Sequence, residues 1–213
     1  DVLESWALFT RELKERLGRD DATLVMHTDP LDAQGSNLLK TSEMLGIQGS
    51  VFFSKERLGF DQVAALHQMS DCCLNLSSAE GFGLGTLEAM QCGRPIIALK
   101  TGGLTRQVVD HRDGTQNGIA LDVDCKTLVG SLGVPYIYED LCTNQNAAKA
   151  LIRMYEMGHD ARRALGDKAS EYVKSEFVLQ KMIDDWHRTL SETIEKWKAD
   201  RSKIYKPWAV RTV

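Results

Sequence analysis

What this 213-residue sequence lacks removes whole classes of function. No apolar run approaches the roughly 18 residues that a membrane-spanning helix needs. There is no basic excess either, because 26 lysines and arginines stand against 30 acidic residues for a net charge of -4. Without a basic stripe, general affinity for nucleic acid is not expected. The five cysteines, at positions 72, 73, 92, 125 and 142, have neither metal-ligand spacing nor an even-numbered framework. They read as reduced, mostly buried thiols in a reducing compartment, which points to the cytoplasm or the membrane periphery facing it. His67, His111, His159 and His187 are scattered and form no metal cluster. No paired-aspartate motif implies a divalent ion, and no cofactor is implied. Internal repeats and low-complexity tracts are also missing. The sequence opens at Asp1 without a methionine, already inside a helical pattern, so it is expected to be part of a longer protein.

What is present suits one α/β domain. Hydrophobic residues make up 43% and charged residues 26%, ordinary for a folded chain that buries roughly 70% of its unfolded surface. Val2, Trp6, Phe9, Leu13 and Leu17 form one helical stripe that Gly18 stops. Strands are predicted at Thr23 to Met26, Val51 to Phe53, Cys72 to Leu76, Pro95 to Leu99 and Gly118 to Leu121. Helical segments separate them, at about 37 to 45, after a cap at Asp61, after the turn at 77 to 83, and at 104 to 109. Alternating strands and helices imply right-handed crossovers and a Rossmann-like parallel sheet with helices on both faces. Ligands of such sheets bind beyond the C-terminal strand ends. The loops at 27 to 30, 54 to 59, 77 to 83 and 100 to 103 are such ends, so they are expected to converge. Toward the C-terminus, Asn144 or Asn146 is expected to cap a helix to about Met157, and Asp160 to start another through Ser175. A long amphipathic helix follows from Val178 to about Lys198, then a tail with Pro207 and Trp208.

The stretch from Ser77 to Leu104 concentrates the chemistry. A Gly-rich turn, with Gly81, Gly83 and Gly85, leads from a strand into a helix N-terminus, where unpaired N–H groups and the helix dipole favour an anion. Glu80 lies in the turn and Glu88 in the helix. Carboxylates repel phosphate, so their natural partners are hydroxyls held on either side of a diphosphate.

Glu80 and Glu88 with seven residues between them, the EGFGL turn, the LEAM helix and the later TGGL resemble the donor site of retaining GT-B glycosyltransferases of the group 1 family. The resemblance implies a C-terminal GT-B half lacking the family's first strand, with residues 1-177 as the nucleotide-sugar domain and 178-213 as a helix and tail. It assigns Glu88 to the ribose hydroxyls and Glu80 to the donor sugar, as the catalytic carboxylate near the anomeric carbon. Backbone groups of Gly81, Phe82, Gly83 and Leu84 would line the sugar and diphosphate, with Gly102 and Gly103 approaching closely. The implied reaction is retaining transfer from a nucleotide diphosphate sugar, such as a UDP- or GDP-sugar, to a glycan, lipid or protein acceptor. The family's acceptor-binding N-terminal domain, and the Arg and Lys after its first strand, are missing, so residues 1-213 alone are expected to bind donor weakly and transfer nothing. A non-catalytic nucleotide-sugar-binding module is the alternative. A sugar-nucleotide epimerase or a phosphorylase fits less well, since no motif identifies a pyridoxal-phosphate lysine.

Lys100 and Arg106 are candidate phosphate neighbours by location, with solvated surface roles as the plainer reading, and His27 could approach the crevice from its strand end. The resemblance implies that the Lys55 neighbourhood meets the base, while Asp110 and Asp113 read as turn and cap residues. By resemblance the connection from Asp122 to Thr143 is longer than usual and is read as an insertion, either a small hairpin or an excursion near the cleft, with a plain surface loop as the alternative.

Overall fold

A computed structural model of the chain describes residues 1–204. The reading of a tail at Tyr205 to Val213 lies outside the described residues. The chain divides into two units, Asp1–Tyr172 and Val173 onward.

In the first unit, helix α1 (Val2–Leu17) buries Trp6, Phe9 and Leu13, and Gly18 ends it in the left-handed conformation at φ 63°. Strands β1 (Leu24–His27) and β2 (Val51–Ser54) pair in parallel, joined through helix α2 (Leu38–Met44). Asn37 caps α2, its side-chain oxygen accepting from the Lys40 N–H at 2.9 Å. Helix α3 (Phe60–Met69) starts one residue before the expected cap at Asp61. Gly59 is the N-cap, and its N–H donates to Gln62 Oε1 at 2.9 Å. Asp61 therefore lies within the first turn, where its charge favours the helix dipole instead of capping.

Strand β3 (Cys73–Asn75), helix α4 (Leu84–Gln91), strand β4 (Ile96–Leu99), helix α5 (Leu104–Val108) and strand β5 (Gly118–Leu121) form the second parallel set, ordered β3-β4-β5. The five strands thus hydrogen-bond as two sets, with no strand pair joining β1 to β3 among the described residues. Both sets nevertheless supply one core. Ile97, Leu99, Ile119 and Leu121 pack with α1 and with helix α6 (Asn144–Glu156), while Leu24, Met26, Leu74 and Leu76 line the same cluster. Side chains alternate across a strand, so Ile96 and Ala98 of fully buried β4 turn to the other face, where α4 and α5 pack. Covering both faces explains the continuous apolar run of β4.

The 122 to 143 connection is an antiparallel hairpin, β6 (Cys125–Val129) with β7 (Ile137–Leu141), in register Lys126 to Asp140 and Leu128 to Tyr138. Thr143, not Asn144 or Asn146, caps α6, and its hydroxyl accepts from the Asn146 N–H at 3.3 Å. The hydroxyl one residue earlier suffices, which frees Asn146 to donate to both Asp124 carboxylate oxygens at 3.0 and 2.8 Å. Helix α7 runs His159–Glu176.

In the second unit, helix α8 (Leu179–Ile204) is amphipathic. Its polar side carries spacing-matched pairs such as Lys181 with Asp185 at 2.8 Å and Arg188 with Asp185 at 2.9 Å, each worth only a few tenths of a kcal/mol. Its apolar stripe, Met182, Ile183, Trp186, Leu190, Ile194 and Trp197, is exposed.

Candidate functional site

The loops after β3 and β4 meet. The Gly103 N–H donates to the Glu80 carbonyl at 3.2 Å, locking the turn at 77 to 83 onto the 100 to 103 loop. The contact leaves no room for side chains. A Cβ at Gly102, where φ is +46°, would lie 1.7 Å from the Glu80 carbonyl oxygen, and one at Gly103 would lie 2.5 Å from that of Phe82. The two glycines are therefore required by close backbone approach as well as by the turn itself.

Gly83, at φ 88°, is the N-cap of α4, so the first N–H groups of that helix open at the turn. Glu80 bends back over it, Oε1 accepting from the Phe82 N–H at 3.4 Å and the Gly83 N–H at 3.1 Å. Part of the backbone that the sequence reading left for a ligand is thus already taken by the Glu80 carboxylate. One turn into the helix, half-exposed Glu88 places Oε2 3.9 Å from His67 Nε2 of α3. Burial pushes the His67 imidazole below its ordinary value, against the opposing pull of Glu88, so it is neutral at neutral pH. The Glu88 carboxylate consequently faces a neutral imidazole beyond hydrogen-bond distance, and it keeps its acceptor capacity toward hydroxyls.

Two buried polar residues that the sequence reading did not single out hold the turn from below. Gln107 of α5 is fully buried and donates through Nε2 to the carbonyls of Phe82 and Gly83, the latter at 3.1 Å. The Thr86 hydroxyl stands 2.9 Å from the Gly83 carbonyl and 2.5 Å from Gln107 Oε1. Asn117 Nδ2 then donates to the Gln107 carbonyl at 2.9 Å. The only sequence signal is a glutamine at a core-facing helical position between Leu104 and Val108. Such buried amides fix a geometry because any displacement leaves an unpaired group.

The hairpin also belongs to the site. Asp140 of β7 accepts from the Thr101 hydroxyl at 2.8 Å, and its own N–H donates to the Ser78 carbonyl at 2.8 Å. One residue thereby grips both loops. The Thr101 hydroxyl first, and then Lys126 at 3.3 Å, hold the Asp140 carboxyl below its usual range. Leu128, Tyr136 and Tyr138, all exposed, extend along the hairpin from this anchor.

Other candidates fall elsewhere. Lys100 pairs with Asp122, and Arg106 Nη2 stands 3.2 Å from His111 Nε2. His27 Nδ1 lies 3.1 Å from Ser54 Oγ, joining the C-terminal ends of β1 and β2 to each other. Lys55 is exposed. Asp110, held down to about 2 by hydrogen bonds from Arg112, organises the 110 to 117 turn, and Asp113 accepts from the Thr115 N–H at 2.8 Å. Among the described residues no cluster of metal-binding side chains occurs, and no helix is long and apolar enough to cross a membrane. Burial pushes the thiols of Cys72 and Cys73 up to about 12 and 11, whereas Cys125 departs from the buried pattern and is exposed on the hairpin.

A family model for glycosyl transferases group 1 matches residues 13–124, more than half of the chain and all of the elements that build this turn. The chain belongs to that family. This group 1 domain is 27% identical over 186 residues to the N-acetyl-alpha-D-glucosaminyl L-malate synthase of Bacillus anthracis, covering 87% of the chain and 40% of that protein. The chain therefore spans well under half the length of this relative. In structure it resembles the C-terminal domain of a group 1 family glycosyl transferase from Francisella tularensis, with a TM-score of 0.57 and 18% identity over 83% of the chain and 79% of the other. An Anabaena protein solved with UDP and glucose gives a TM-score of 0.54 and 18% identity, covering 87% and 52%. The group 1 domain thus has the α/β fold of GT-B glycosyltransferase domains, with parallel strands and helices on both faces.

Proposed function

We propose that this chain is the donor-binding domain of a retaining glycosyltransferase that takes a nucleotide diphosphate sugar and passes the sugar to a glycan, lipid or protein acceptor. The observation that carries the reading is the pair of acids around one helix N-terminus, with Glu88 in the first turns of α4 and Glu80 on a turn that Gly102, Gly103 and Gln107 hold in place. Family membership and the likeness in fold to a protein that binds UDP support it.

In this reading Glu88 accepts hydrogen bonds from two ribose hydroxyls, which a carboxylate can take together. The diphosphate lies against the start of α4, where helix N–H groups and dipole stabilise the charge that grows on the leaving group. Glu80, anchored through Oε1, presents Oε2 beside the donor sugar and opposes the positive charge that develops at the anomeric carbon. The same anchoring keeps it from swinging, so the charge is preorganised. The acceptor and further cations come from outside these residues, and residues 1–213 alone bind donor without transferring it.

Calorimetric titration of UDP, GDP and ADP, and of their sugar conjugates, tests the assignment. Binding by one base series, weakened about tenfold to a hundredfold by Glu88→Ala, supports it. If no nucleotide bound at millimolar concentration, or the variant bound as tightly as the parent, the site would be assigned wrongly.

A further inference from the structure

At the pole opposite the donor turn, where the chain enters β3 and β4, a cavity of about 350 Å³ opens. That is within the size range of small-molecule sites, about 300 to 1,000 Å³. Arg94, Arg162, Arg163 and His159 line it together with Asp71 and Asp167. Among the described residues, three buried side-chain polar atoms have no hydrogen-bond partner, and two of them, Arg94 Nε and Arg162 Nε, belong to this cavity. A buried guanidinium N–H without an acceptor is costly, and such groups mark places where an acceptor is expected.

Arg162 is otherwise spent. Its Nη1 donates to the carbonyls of Met154 and Tyr155 at the end of α6, at 3.3 and 3.1 Å, and its Nη2 to Asp71 at 3.0 Å. That use fixes Arg162 in place as a wall of the cavity, with its Nε shut away from solvent. Arg94 is partly buried with its Nε unmet, and Arg163 is exposed. Helix α7 begins at His159, so its N-terminal N–H groups add positive potential on the same side. The walls are close-set: a Cβ at Gly166 of α7 would fall 2.0 Å from the Gly93 carbonyl oxygen. Three guanidinium groups against the two carboxylates leave one net positive charge.

We propose that this cavity is a second binding site, for a small phosphate monoester that also carries hydroxyl groups. Planar guanidinium groups match phosphate oxygens in pairs. Asp167 is exposed and lies near Gly93 at the mouth, where a carboxylate suits a hydroxyl and repels a bare oxyanion. The mixture of charges therefore selects an organic monoester over inorganic phosphate. Helix α4 joins the two sites, its first turn at the donor loop and its C-terminal Cys92 and Gly93 at the cavity.

Glucose 6-phosphate and inorganic phosphate, titrated calorimetrically into the full chain, are the probes. The sugar phosphate should bind in the micromolar to millimolar range and inorganic phosphate more weakly. Arg163→Gln should weaken the sugar phosphate about tenfold, and Arg94→Gln with Arg163→Gln should abolish it. Glu88→Ala and saturating UDP should leave it unchanged, which separates this site from the donor site. No binding of either probe at millimolar concentration, or binding that the arginine variants do not alter, would overturn the proposal. So would competition with UDP. Arg163 is exposed, so its single variant reads the site even if replacing Arg94 prevents folding.

Discussion

The two ends of the β3-β4 sheet are built from opposite chemistry on the same strands. Beyond the C-terminal ends stand carboxylates and glycines, and the carbonyls of the turn are held by Gln107 and Thr86, with Asn117 Nδ2 supporting Gln107 from below. At the N-terminal ends stand guanidinium groups, two of them with unmet buried donors. The difference teaches that one set of parallel strands can carry acidic, glycine-rich chemistry at one end and guanidinium chemistry at the other. The donor turn is held by a buried amide, whereas the cavity walls are held by Arg162, which reaches Asp71 and the end of α6.

Replacing Gly102 with alanine should break the first of these ends most severely. The new Cβ would collide with the Glu80 backbone at 1.7 Å, and φ is +46°, so we expect about 4 kcal/mol of destabilisation and no detectable nucleotide binding. Thermal melting and calorimetry check both parts, and a stable variant with normal UDP affinity would contradict the packing argument. Gln107→Leu comes next. It removes the amide that donates to the Phe82 and Gly83 carbonyls, which should cost about 2 kcal/mol and loosen the turn, seen as faster amide exchange at 82 to 86. Asp140→Asn is milder. It leaves the Ser78 backbone contact but weakens the grip on Thr101, so nucleotide affinity should fall about threefold to fivefold with stability lowered by about 1 kcal/mol.

The smallest effect concerns pH. His67 titrates below its ordinary 6.5 in the folded chain because burial opposes its charge. Above that value both states are neutral there and the residue contributes no pH dependence. As pH falls below 6.5, the unfolded chain takes up a proton that the folded chain resists, and stability declines until the folded value is passed. His67→Gln should flatten this part of the stability curve. Glu88→Ala removes the one carboxylate that raises the His67 value, and it should move the window further toward acid.

The order of strands and helices was legible because burial imposes periods on the sequence. The stripe of α1 and the apolar run of β4 record which surfaces face the core. Gly18, Gly83 and Gly102 likewise reveal themselves, since backbone at positive φ excludes most side chains. Caps were less legible: Gly59 takes the place expected of Asp61, and Thr143 that of Asn144 or Asn146, because the winner depends on which neighbour reaches which N–H. Least legible were Gln107 and Asp140, whose partners lie 24 or 25 and 39 residues away. Nothing local announces such contacts, because a glutamine in a helix and an aspartate in a hairpin are common on any surface. The insertion was visible as a loss of helical period, but its attachment to the site rests on Asp140, which only the fold brings to Thr101.

The uneven exposure of the thiols has a practical consequence for optics. Cys72 and Cys73 hold their protons to about 11 or above, and Cys125 is the one exposed cysteine. A maleimide dye added at neutral pH should therefore label the hairpin first, leaving the core untouched. Its emission would then report, in real time, whether the wall beside the donor loops shifts when a nucleotide arrives.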